Sequence, residues 1–187
     1  VGGVPVAEQI GAIMGVEVTA VRQYAHVRCA GDCNATTARY HYSGSQSCRE
    51  TVYVTGSGSK SCSYGCRGYG DCMAVCDFDA ISIVDGIAKV DRFKCAGCGK
   101  CVRICPKHII ELVPETAQCI VSCVSKDAGR NMRNTCKAGC IGCGICVKNC
   151  PAGAITVTDN VASIDYGKCT GCGICKEKCP KKIIQSI

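Results

Sequence analysis

Residues 95–106 read CAGCGKCVRICP, a Cys-x2-Cys-x2-Cys-x3-Cys-Pro run. The same spacing returns at Cys140, Cys143, Cys146, Cys150 and Pro151, and again at Cys169, Cys172, Cys175, Cys179 and Pro180. Around these runs, Cys62, Cys66, Cys72, Cys76, Cys95, Cys98, Cys101 and Cys105 each recur 74 residues later, as Cys136, Cys140, Cys146, Cys150, Cys169, Cys172, Cys175 and Cys179. The same offset superposes Ala80 on Ala154, Ile81 on Ile155, Asp91 on Asp165, Gly99 on Gly173 and Ile109-Ile110 on Ile183-Ile184. Agreement at so many positions marks a duplicated module, which has to be recognised before local structure is read.

Twenty-two of 187 residues are Cys, against no Trp, two Phe and seven Tyr. A conventional aromatic core is not expected, and the Cys density signals cross-links in its place. Disulfides require an oxidising compartment, normally reached through a signal peptide. The opening stretch VGGVPVAEQIGAIMG lacks a basic leader and has no apolar run long enough for a signal or a membrane helix. The first residue is Val, so the sequence reads as part of a longer chain, with any anchor upstream. Zinc on paired Cys-x2-Cys groups is the second alternative. It does not require a third Cys two residues on and a fourth followed by Pro, which is the bacterial ferredoxin run for 4Fe-4S clusters.

In two-cluster ferredoxins the fourth Cys of each run ligates the other cluster, so runs work in pairs. The second module then closes completely: Cys140, Cys143, Cys146 and Cys179 form one set, and Cys169, Cys172, Cys175 and Cys150 the other. In the first module Cys95, Cys98, Cys101 and Cys76 form a set. Its other run, CSYGCRGYGDCMAVCD, lacks the counterpart of Cys143, and Cys62 is expected to substitute, giving Cys62, Cys66, Cys72 and Cys105. Asp77 stands where the other runs have Pro. Four 4Fe-4S clusters are expected on these sixteen thiolates. Cys29, Cys33, Cys48, Cys119, Cys123 and Cys136 remain. A fifth cluster with Cys29, Cys33 and Cys48 as candidates leaves one thiolate unassigned. Buried structural thiols are the expectation for most of the six, with Cys48 and Cys123 at corresponding places one residue off the repeat.

The formal charge is +7. Each cluster with its four thiolates carries about two net negative charges, so four bring the loaded protein near neutrality. Without aromatic interleaving or a recognisable module, a nucleic-acid partner is not expected. The fold class expected is α+β: two tandem bacterial-type dicluster ferredoxin modules of short strands and helices, with an N-terminal Cys-containing extension. The segments AISIV and IAKVD around Asp85-Gly86 predict a hairpin, copied as AITVT and VASID around Asp159-Asn160. IIELV and IIQSI supply a further strand each, and short helices lie between the third and fourth Cys of each run. Boundaries are drawn as a linker with a short helix (1–18), the extension (19–60), module 1 (61–115), a connecting segment (116–135) and module 2 (136–187). TGSGSK at 55–60 reads as a flexible loop.

The stretch from VRCAGDCNATTARYHYSGSQSC through KSCSYGCRGYGDCMAVCDFDAI into the second module resembles the B subunit of Rnf complexes, the membrane-bound ferredoxin:NAD oxidoreductases. The gapped CSYGC…GDC run is its most specific part, and VGGVPVAEQIGAIMG is similar to the segment that follows the family's upstream cluster domain. The resemblance implies a relay of low-potential electrons, taken from soluble ferredoxin and passed to other subunits of an ion-translocating complex. It also implies a peripheral place on the cytoplasmic side of the cell membrane, touching the membrane only through partners or an upstream segment. NAD and flavin sites would belong to partners, since the chain carries no G-x-G-x-x-G after a strand and no flavin attachment motif. An independent soluble polyferredoxin and a zinc-stabilised binding module are the competing readings.

Overall fold

The computed structural model describes residues 3–16 and 21–186. Parts of the predicted linker and extension (1, 2 and 17–20) and Ile187 lie outside the described residues.

Two hairpins form where the alternating segments place them. Strands β2 (Ile81–Val84) and β3 (Ile87–Val90) pair with Ile81 opposite Val90 and Val84 opposite Ile87. The turn residues Asp85 and Gly86 sit at φ 50° and 73°, the left-handed pair whose twist suits a two-residue hairpin. The copy pairs β6 (Ile155–Thr158) with β7 (Val161–Ile164) around Asp159 and Asn160 at φ 49° and 62°. Short helices α2 (Asp71–Ala74), α3 (Lys100–Ile104), α5 (Ile145–Lys148) and α6 (Ile174–Lys178) each begin one residue before the third Cys of a run and end before the fourth. In front, α1 (Gly3–Met14) ends at Gly15, which has a φ of 68°.

Each copy is closed by a ladder between residues far apart in sequence. β1 (Gln23–Val27) pairs antiparallel with β4 (Ile110–Pro114), and β5 (Cys119–Val121) with β8 (Ile184–Ser186). β4 and β8 are the further strands read from IIELV and IIQSI. Their partners fall within the segments assigned to the extension and the connecting segment, so the boundaries drawn at 61 and 136 cut across both ladders. The reason is an insertion: Cys29 to Cys62 spans 33 residues and Cys123 to Cys136 only 13, which takes β1 and β5 off the common offset. The shorter segment holds α4 (Gly129–Thr135), whereas the longer one holds two tight helical turns, Glu50–Tyr53 and Thr55–Ser57.

The insertion is folded down rather than loose. The Asp71 carboxylate accepts hydrogen bonds from the Cys48 amide (2.9 Å), the Arg49 amide (3.1 Å) and the Ser47 hydroxyl (3.2 Å). The stretch 55–60, read from sequence as a flexible loop, is held by Arg39 donating to the Gly56 and Gly58 carbonyls and by Lys60 Nζ donating to the Cys66 carbonyl at 2.9 Å. Long cationic side chains from outside and from the end of the stretch make these ties, which local composition does not reveal. The two copies contact one another through Ala30 N–H to the Ser122 carbonyl (2.9 Å), Lys137 N–H to the Ala35 carbonyl (2.7 Å) and Thr36 Oγ1 to the Thr135 carbonyl (2.9 Å).

Packed between sheets and helices are small aliphatic residues, with Val113, Met132, Ile183 and Ile184 fully enclosed, and thiols. His26, on β1, has its Nε2 buried without a partner, and burial lowers its pKa to about 4. The imidazole is neutral when folded, while the unfolded chain takes up the proton near pH 6.5. Stability is therefore full above about pH 6.5 and falls as pH drops toward 4, by up to about 1.4 kcal/mol per pH unit. Thermal unfolding at about pH 7 and pH 5.5 checks this, with the loss expected to be smaller in His26→Leu than in the wild type.

Candidate metal centres

A left-handed glycine precedes each short helix of the cysteine runs: Gly70, Gly99, Gly144 and Gly173, at φ 84°, 73°, 70° and 77°. The chain turns sharply there, a conformation that costs a residue with a Cβ about 1–2 kcal/mol. The third Cys of each run, in the first turn of its helix, is thereby buried: Cys72, Cys101, Cys146 and Cys175.

Cys76, Cys95, Cys98 and Cys101 line one cavity, and Cys140, Cys143, Cys146 and Cys179 another. In both, the fourth thiol crosses over from the other run, as the pairing rule requires. Around the remaining set, Cys169, Cys172 and Cys175 all lie close to Cys119, a β5 thiol, and Cys150 belongs to the same buried cluster. Cys119 is thus a neighbour of that site that the spacing did not flag.

The first run departs from expectation. Cys66, Cys72 and Cys105 share their cavity with Cys48, not with Cys62. Tyr69 occupies the position equivalent to Cys143, and Cys48 supplies the missing thiol from the insertion. Burial pushes the Cys48 thiol up, while the nearby backbone N–H groups of Asp71, Tyr69 and Gly70 pull it back down. Cys62 lines a different cavity, with Cys29, Cys123 and Cys136. The candidate trio Cys29, Cys33 and Cys48 is not brought together: Cys29 and Cys48 line separate cavities and Cys33 is exposed. Cys48 and Cys123 are likewise not counterparts. Sequence signalled Cys48 only as a Cys near a run that lacked one.

The walls suit a cationic core of iron and sulfide. Burial pushes the thiols of Cys72 and Cys175 up to about 12 and that of Cys101 to about 11. Such groups become thiolates at neutral pH only against a strongly positive core. Backbone donors already point at sulfur, from Ala25 to Cys95 (3.3 Å), Ala88 to Cys66 (3.4 Å) and Ala154 to Cys150 (3.3 Å), the bonds that tune such a site. At the Cys48 cavity the Arg67 guanidinium buries its Nε and Nη1 without a hydrogen-bond partner. Among the described residues, no three His, Cys, Asp or Glu side chains converge tightly enough for a single ion. The thiols instead ring cavities with 310–390 Å³ of empty space.

A 4Fe-4S dicluster domain matches residues 139–184, and a 4Fe-4S binding domain matches residues 88–111. The B subunit of the Na(+)-translocating ferredoxin:NAD(+) oxidoreductase complex of Acetobacterium woodii is 50% identical over 170 residues, 90% of this chain and 51% of that protein. The B subunit of the ion-translocating oxidoreductase complex of Methanosarcina acetivorans is 42% identical over 170 residues, 90% of this chain and 64% of that protein. The B subunit of the proton-translocating ferredoxin:NAD(+) oxidoreductase complex of Clostridium ljungdahlii is 42% identical over 166 residues, 88% of this chain and 58% of that protein.

The chain carries ferredoxin-type 4Fe-4S domains and is similar to the B subunits of ion-translocating oxidoreductase complexes. It spans between half and two-thirds of the length of these relatives. Two dicluster modules carry four 4Fe-4S clusters, in the α+β tandem arrangement expected from the duplicated runs. Among the described residues no helix is long and apolar enough to cross a membrane.

The sites differ in their charges. Arg67 and Lys107 both line the Cys48 cavity, and burial lowers the pKa of each. A buried cation favours the reduced, more negative cluster, so Arg67→Met is expected to lower that cluster's midpoint potential, on the order of 50–100 mV for one charge at intermediate dielectric. A potentiometric titration followed by electron paramagnetic resonance reads the shift.

Proposed function

We propose that this chain relays low-potential electrons from reduced soluble ferredoxin to other subunits of an ion-translocating ferredoxin:NAD oxidoreductase, on the cytoplasmic side of the membrane. The observation that carries this is the duplicated, interleaved set of cysteine-lined cavities. Bound clusters supply one-electron redox capacity. The protein's part is to hold them on Cys48, Cys66, Cys72 and Cys105; Cys76, Cys95, Cys98 and Cys101; Cys140, Cys143, Cys146 and Cys179; and Cys150, Cys169, Cys172 and Cys175. The functional modules run from 23 to 114 and from 119 to 186, the spans closed by the two outer ladders. Exposed Cys143 and Cys172 put two of the sites at the surface, where a donor or acceptor can approach. Hydride chemistry and ion translocation fall to partner subunits, and the Lys and Arg surplus offsets cluster charge rather than binding nucleic acid.

The test is anaerobic mixing of the cluster-loaded chain with pre-reduced ferredoxin. Bleaching of the chain's visible sulfur-to-iron absorption, matched by reoxidation of the ferredoxin, is the expected result. Failure of electrons to pass under conditions where dithionite reduces the chain would remove ferredoxin as donor. Recovery of the native protein from cells without any companion subunits would favour an independent soluble polyferredoxin.

A further inference from the structure

Four cysteines outside the four ferredoxin sets converge where the two modules meet. Cys29, Cys62, Cys123 and Cys136 line one cavity, with Gly31, Gly65 and Gly139 in its walls. Its open space, solvent at the mouth included, is about 320 Å³, comparable on the same measure with the cavities ringed by the ferredoxin thiols.

The four come as two equivalent pairs. Arg28 N–H donates to the Ile109 carbonyl and Ser122 N–H to the Ile183 carbonyl, both at 2.8 Å, and Ile109 and Ile183 are repeat counterparts. The residues that follow, Cys29 and Cys123, are therefore structural counterparts, as Cys62 and Cys136 are by the 74-residue offset. The correspondence extends to hydrogen bonding: the Cys66 amide donates to Cys29 Sγ and the Cys140 amide to Cys123 Sγ, each at 3.3 Å. Each module presents half of a four-thiol shell. Side chains are kept out of the space between: a Cβ on Gly31 would stand 3.1 Å from Cys136 Sγ, and the Gly65 position lies 3.5 Å from both Cys29 Sγ and Cys62 Sγ on the same measure. Arg28 also lines the cavity, with its Nε buried and unpartnered.

We propose that Cys29, Cys62, Cys123 and Cys136 hold a fifth 4Fe-4S cluster, at the junction of the two modules. The proposal builds on the reading of this chain as a 4Fe-4S protein and adds a site that belongs to neither module alone. Four thiols around a cavity comparable in extent to the other sites, each pair with an amide donor to sulfur, carry the assignment. A cluster there stands between the two pairs and makes the junction of the modules depend on iron. Twenty of the twenty-two cysteines then have ligand roles, leaving exposed Cys33 and buried Cys119.

Iron, sulfide and zinc are counted per chain after anaerobic reconstitution, in the wild type and in the double variant Cys62→Ser/Cys136→Ser. The expected wild-type count is about twenty irons with matching sulfide, falling to about sixteen in the double variant, while Cys33→Ser keeps about twenty. A wild-type count of about sixteen irons, with or without one zinc beside them, overturns the proposal without touching the four-cluster reading. Wild-type protein without iron would sink both. The wild-type count needs no variant to fold, and spin integration of the fully reduced protein gives the number of clusters independently.

Discussion

Cys48→Ala is expected to strip the first module's outer site, lowering the count by about four irons and four sulfides per chain or leaving a three-iron remnant there. Cys48 shares its cavity with Cys66, Cys72 and Cys105, and its sulfur lies beside the backbone amides of Tyr69, Gly70 and Asp71. Alanine supplies no donor, and the Asp71 carboxylate that ties down residues 47–49 keeps another side chain from moving in. The electron paramagnetic resonance signal sensitive to Arg67→Met should vanish in the same variant, because both residues line that cavity. An unaltered iron content and an unaltered signal would return the fourth ligand to some other residue.

Removal of the clusters is the second large effect. Stripping iron with a chelator under anaerobic conditions is expected to abolish cooperative unfolding rather than merely lower the melting temperature. Eleven of the buried core residues are cysteines, and the helices of the cysteine runs have four or five residues each. Helices that short do not persist alone, and two-stranded ladders are marginal in water. Structural zinc sites, the measured analogue, contribute about 10–16 kcal/mol, comparable to the whole stability of an ordinary domain of about 5–15 kcal/mol. Far-ultraviolet circular dichroism and amide hydrogen exchange check the outcome. Native-like protection of Val113 and Ile184, which are buried in the closing ladders, in iron-free protein would show that the aliphatic core suffices without metal.

Both expectations trace back to how ligands are encoded along the chain. Twelve candidate ligands in three complete runs were legible because each run is local: its first three Cys wrap one cube and the fourth passes to the paired one, which spacing encodes. The hairpins were legible for the same reason, through Asp85-Gly86 and Asp159-Asn160 between alternating segments. β1 and β5 were not, since QYAHV and CIV are short and acquire meaning only from β4 and β8, far along the chain. Cys48 was counted but misplaced, because it lies in the insertion, where the 74-residue repeat has no counterpart to place it by.

Cysteine spacing is a one-dimensional record of how a chain wraps a cube, so a duplicated, thiolate-ligated 4Fe-4S protein could be read without any coordinates. Which thiol completes the gapped run, and which four meet between the modules, emerges only in three dimensions. Those sets join residues from an insertion and from both copies. Their convergence depends on outer ladders, amide-to-sulfur hydrogen bonds and an Asp71 clamp that no local pattern encodes.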